Sequence, residues 1–131
     1  MIQCELTVFS RFHGDEEQIS KIPNARVRNA GGFTELFYEY QGDLVKLRFN
    51  GQEFEMKRTG RVGFRLVVYK NGKGFLRLDE GGMGGETPLV TDFYEVRDEN
   101  CVEFAYRYES AGDEESQREN IKLIMKKSEE K

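Results

Sequence analysis

The side chains best suited to chemistry in this sequence are few and scattered. His13 is the one histidine, and it stands just before the turn Gly14-Asp15-Glu16-Glu17. With no cysteine or second histidine close beside it, it does not make up a zinc ligand set. A Ser-His-Asp relay would have to use His13, and no serine sits in the Gly-x-Ser-x-Gly elbow that exposes a hydrolase nucleophile. The stretch Gly81-Gly82-Met83-Gly84-Gly85-Glu86-Thr87-Pro88 lacks the Lys-Ser/Thr that closes a phosphate-binding loop, and it opens no helix. Asn71-Gly72-Lys73-Gly74 reads as a hairpin turn. The acidic run from Gly112 to Ser116 lacks the ligand spacing of a calcium loop. Carboxylates are plentiful, but no pattern selects a pair for acid–base work. The chain is therefore expected not to be an enzyme and to hold no metal or cofactor.

Three polar residues stand where apolar ones are due. Arg58 shares its alternation with Phe54 and Met56, which points it inward. A charge there is costly unless paired and hydrogen-bonded. Arg58 either meets an anionic ligand or is a structural arginine near a strand end, held by a carboxylate or by carbonyls. Tyr38 and Tyr106 also lie on apolar parities. They line a cavity with their hydroxyls, or they sit in a core with those hydroxyls satisfied. Thr91 completes the set of candidate ligand-binding residues.

These residues are carried by short runs of period-two alternation broken by turn residues. Ile2, Cys4, Leu6 and Val8 form the first run, ended by the polar stretch from His13 to Glu17. The segment Gln18 to Arg28 is weaker. Pro23-Asn24 predicts a bend, with Ala25 to Arg28 as an edge-like strand. Leu36, Tyr38 and Tyr40 alternate up to a turn at Gln41-Gly42-Asp43, and Val45, Leu47 and Phe49 follow. Asn50-Gly51 then predicts a two-residue hairpin turn into Glu53 to Arg58, because both turn residues accept positive φ. After Thr59-Gly60, Val62 to Lys70 and Phe75 to Leu78 flank Asn71-Gly72. Gly81 to Gly85 reads as a flexible connection. Thr87 to Val96 and Val102 to Tyr108 are two further strands. The tail is ambiguous: Ile121, Ile124 and Met125 fit a helix, while Ile121, Leu123 and Met125 fit a strand. Propensity favours the helix.

At 131 residues the chain suits one domain, with 10 Phe and 6 Tyr available for its core. Hydrophobic residues make up 37% and charged residues 34%, so much of the chain must face water. A net charge of −4 argues against nucleic acid as a partner, although Lys57, Arg58 and Arg61 cluster. No apolar run approaches the ~20 residues of a membrane helix. The N-terminus lacks the pattern of a signal peptide. A cytoplasmic location is expected, with Cys4 and Cys101 as reduced thiols. Many short strands without clear helix predict a sandwich or barrel.

Several pieces taken in order resemble the YwiB-like family of bacterial proteins. They are Phe37-Tyr38-Glu39, the strand end Met56-Lys57-Arg58-Thr59-Gly60 and the run Leu66 to Gly72. The glycine-rich stretch before Leu89-Val90-Thr91, then Val102-Glu103-Phe104-Ala105-Tyr106, and Ile121 to Met125 follow. The chain departs at Ala30-Gly31-Gly32, where the family has a more aromatic stretch. The resemblance implies a closed, antiparallel, calycin-like (lipocalin-like) barrel of 8–10 strands, with the tail as its last strand. It implies no catalytic residue, cofactor or ligand. Two functions are then open. One is non-enzymatic binding of a small apolar or amphipathic ligand inside the barrel, touched by Tyr38, Arg58, Thr91 and Tyr106. The alternative is a filled barrel acting as a protein-interaction or homodimeric assembly module.

Overall fold

The structure is a computed structural model that describes residues 1–12, 15–80, 83–109 and 118–127. His13 and the acidic run from Gly112 to Ser116 lie outside the described residues. The strands in chain order are β1 (Ile2–Arg11), β2 (Gln18–Ala30), β3 (Phe33–Tyr40), β4 (Asp43–Phe49) and β5 (Glu53–Thr59). They continue as β6 (Phe64–Tyr69), β7 (Lys73–Glu80), β8 (Met83–Arg97), β9 (Cys101–Tyr108) and β10 (Glu119–Lys127). Each strand pairs antiparallel with the next, and β10 pairs with β1 to close the barrel. The all-β antiparallel barrel is thus present, with ten strands.

Alternation sorts each strand's side chains to the two faces. On β4, Val45, Leu47 and Phe49 point inward, and on β9 Val102, Phe104 and Tyr106 do so. The rings of Phe54 and Phe104 meet with centroids 4.6 Å apart. Tyr94 and Tyr106 stack on either side of Phe104 at 6.2 Å. Leu6, Leu36, Leu47, Leu89 and Leu123 are fully buried around them. Burial of each such side chain contributes about 1.5–3 kcal/mol.

Several expectations change. The tail is strand β10, as the resemblance implied and against helix propensity. Ile121, Leu123 and Met125 face the core, and the strand hydrogen-bonds to both β1 and β9. A gap between two open strand edges overrides a weak local preference. Ala25 to Arg28 is not edge-like, because a closed barrel has no edge. It belongs to one long β2, and Pro23 fits there because Cys4 pairs with Ala25 while Leu6 pairs with Ile22. That register leaves one extra residue on β2 opposite Glu5, a bulge that relieves proline of a ladder bond.

The turn at Asn50-Gly51 is a hairpin, but not by the expected mechanism. Neither residue has positive φ. The Asn50 side chain instead accepts hydrogen bonds from the backbone of Gln52 at 2.9 Å and Glu53 at 3.0 Å, which builds a longer loop. Two-residue turns with both φ positive occur at Gly31-Gly32 and at Gln41-Gly42. Asp43 is therefore no turn residue but the buried first residue of β4. Of Gly81 to Gly85, expected as a flexible connection, Gly81 and Gly82 lie outside the described residues, and Met83 to Gly85 begin β8.

Candidate functional site

Strands β1, β3, β5, β7 and β9 finish at one end of the barrel, and the inward polar residues gather near that end. Tyr38, Val45, Arg58 and Phe64 form one row across β3, β4, β5 and β6. Thr91, Tyr106 and Glu119 form another across β8, β9 and β10. The four sequence-predicted residues thus fall into two pairs, Tyr38 with Arg58 and Thr91 with Tyr106. The pairs sit on different walls of the barrel.

Arg58 and Thr91 are held by hydrogen bonds within the protein. Arg58 donates its Nε–H to Asp43 Oδ2 at 2.7 Å, and its guanidinium lies 5.3 Å from the Tyr40 ring centre. It is the carboxylate-paired structural arginine. Asp43 also accepts from the backbone N–H of Arg61 at 2.8 Å and of Val62 at 3.2 Å. These backbone bonds above all, with the Arg58 guanidinium, hold its carboxyl below the usual range, against the opposing effect of burial. Thr91 donates its hydroxyl to the Tyr69 carbonyl at 2.7 Å, joining β8 to β6. Burial pushes the Tyr38 phenol up to about 12 and raises that of Tyr106 further. Neither phenol is poised for proton transfer near neutrality. Among the described residues, no group of His, Cys, Asp and Glu could hold a metal ion.

Sequence reasoning missed Asp43 and Glu119, both buried carboxylates. The signal was present. Asp43 shares parity with Val45, Leu47 and Phe49, and Glu119 shares it with Ile121, Leu123 and Met125.

The barrel also carries grooves on its outside. One of about 730 Å³ lies over β1, β10, β9 and β8. Ala105 is part of its lining and is only 4% exposed despite its outward parity. Phe9 and Phe93 flank it, and Phe93 is 41% exposed. Arg11, Arg118, Lys122 and Glu103 supply charge at the rim. A bulge at Asp92, between the Thr91–Tyr106 and Phe93–Ala105 pairs, shapes this wall. The Asp92 carboxylate accepts from Arg107 at 2.8 Å and from Arg118 at 3.3 Å. A second groove, of about 810 Å³, lies over β2 to β5 beside the exposed Leu44.

The fold has a solved counterpart. The ywiB protein from Bacillus subtilis superposes with a TM-score of 0.67, covering 98% of this chain and 92% of that one. This chain has the YwiB fold. The identity is 12%, so the likeness speaks for the barrel and its strand order. No protein-family model and no curated protein matches the chain. Arg58 and Gly60 of the strand end meet Asp43, and Tyr38 and Tyr106 face inward at one barrel end.

Proposed function

We propose that this YwiB-like barrel is a non-enzymatic module that works through its outer surface, as a protein-interaction or assembly unit. One contrast carries the reading. The inward positions are occupied by Phe49, Phe54, Phe104 and their leucine neighbours, whereas Phe93 stands exposed in a groove on the outside. Eight-stranded barrels can hold one small molecule or be filled by side chains, and the rings at this barrel's waist support the filled case. Aromatic residues are enriched at protein contact sites, and Phe9 and Phe93 both line this groove.

Native mass spectrometry of protein purified from its own host tests this. The expected species is a complex with a second protein chain, lost when Phe93 is replaced by Arg. A single chain carrying a reproducible small-molecule mass would overturn it.

A second reading, a small amphipathic ligand bound within the barrel, is favoured by the polar end. There Tyr38, Arg58, Thr91 and Tyr106 would make the polar contacts beside Glu119. The same mass spectrum separates the two readings. A reducing, cytoplasmic setting suits either one. Cys4 and Cys101 are free thiols, and they point to opposite faces of the sheet, which disfavours a bridge between them. No helix among the described residues is long and apolar enough to cross a membrane.

A further inference from the structure

Five phenylalanines on the strands point outward: Phe9, Phe33, Phe37, Phe75 and Phe93. Four of them lie under a cation of their own chain. Arg48 sits 4.7 Å from the Phe33 ring centre, Arg28 5.2 Å from Phe37, Arg65 5.4 Å from Phe75, and Lys122 6.0 Å from Phe9. Each such cation both stabilises the ring face and covers it. Phe93 is the fifth, and among the described residues no cation lies over it. Arg11 is exposed on the same outer face and makes no ion pair with any described residue.

The pairing of the strands relates these two residues. Arg11 on β1 stands beside Asn120 on β10, Asn120 beside Ala105 on β9, and Ala105 beside Phe93 on β8. One row further from the end where β1 finishes, Phe9 stands beside Lys122, Lys122 beside Glu103, and Glu103 beside Glu95. Arg11 and Phe93 are therefore equally far from the seam between β10 and β9, on opposite sides. Lys122 and Glu103 are likewise equally placed. A twofold axis along that seam, with two sheets face to face, exchanges β1 with β8 and β10 with β9. It sets each Arg11 against the other copy's Phe93, and each Lys122 against the other copy's Glu103.

We propose that two copies of this chain associate through this groove about that axis, Arg11 of each capping Phe93 of the other. The proposal rests on the outer-surface reading above and names its occupant. Charge complementarity selects a second copy. Arg11 and Lys122 lie on one side of the seam with Glu17, and Glu95 and Glu103 lie on the other with Arg97, so each side offers both signs and the twofold operation brings Lys122 of one copy to Glu103 of the other. A partner of one charge sign would meet like charges on both sides of the seam. Glu95 and Glu103 also hold Arg97 at 2.9 and 3.4 Å, and each keeps lone pairs for a second cation. The exposed Ile19 and Ile124 extend the apolar contact beside Phe9 and Lys122.

Sedimentation equilibrium on the wild-type chain and on charge variants decides the matter. Wild type is expected at twice the 15.2 kDa chain mass. Phe93→Arg sets like charges against each other and raises the dissociation constant more than about tenfold. Arg11→Glu weakens association as well. The double variant Arg11→Glu with Phe93→Arg restores it through a new intermolecular ion pair. Within one copy the two positions are three strand spacings apart, about 14 Å, so restoration reads the contact between copies. Lys122→Glu sets carboxylates against each other across the contact and is expected to weaken association too, and circular dichroism confirms that each variant folds. A wild-type chain that stays at one mass up to about 100 µM, where a micromolar dimer would be mostly formed, overturns the proposal. So does a dimer that Phe93→Arg leaves intact, or a double variant that fails to recover. A monomer holding a different protein at this groove overturns the second copy as occupant and leaves the outer-surface reading standing. A monomer holding a small molecule overturns both.

Discussion

The Arg58 guanidinium donates to the Asp43 carboxylate at 2.7 Å, and the same carboxylate accepts the backbone N–H groups of Arg61 and Val62. One inward acid at the start of β4 thus fastens the end of β5 and the loop that follows. Its folded pKa is lowered, so its stabilising effect is present above the unfolded value of about 3.9 and is lost as pH falls through the folded one. Wild-type melting temperature should therefore drop as the pH goes below about 4. Asp43→Asn should melt lower than wild type at neutral pH and lose less on acidification. Some acid sensitivity should persist in that variant, because the hydrogen bond from Arg28 lowers Glu35 as well. Melts followed by circular dichroism across acid pH check this.

Gly60 has φ +149°, and a Cβ built there would strike the Asp43 carboxylate. Gly60→Ala should cost about 1–3 kcal/mol in urea unfolding. Gly72→Ala is the control. At φ +110° it carries backbone strain, but no atom crowds the added methyl. A larger loss at Gly72 than at Gly60 would contradict the crowding.

Thr91 reaches from β8 to the Tyr69 carbonyl on β6 at 2.7 Å. Thr91→Val keeps the shape and removes the donor, leaving a part-buried carbonyl short of a partner. A loss of about 1–3 kcal/mol in urea is expected, with the slope of the transition unchanged.

Burial raises the phenols of Tyr38, Tyr94, Tyr106 and Tyr108. A folded pKa above the unfolded value of about 10 stabilises the fold below that pH, and the contribution is lost as pH rises beyond it. The native protein should show only part of its six tyrosines ionising near pH 10. All should ionise there in urea, and wild-type unfolding should become easier above pH 10. Absorbance titration in the two solvents checks this.

Much of the barrel could be read from local chemistry. Alternation placed Val45, Leu47, Phe49, Phe54 and Phe104 inward before any pairing was known, because a strand's side chains repeat every two residues. The same parity turned Arg58 inward, and its need for a carboxylate follows from the cost of an unpaired buried charge. What local chemistry does not contain is the identity of the partner. Asp43 lies 15 residues away and looked like part of a turn.

The sequence by itself determined the β character, the inward faces and the sites of most turns, since these depend on neighbours along the chain. Tertiary structure decided three things. It made the tail a strand, because β10 satisfies the backbone groups of both β1 and β9. It set the rings of Phe54, Tyr94 and Tyr106 against Phe104, because packing depends on which rows meet across the interior. It also brought Arg11, Asn120, Ala105 and Phe93 into one outer row, an order set by strand register. Residues so distant in the chain become neighbours only when the sheet closes.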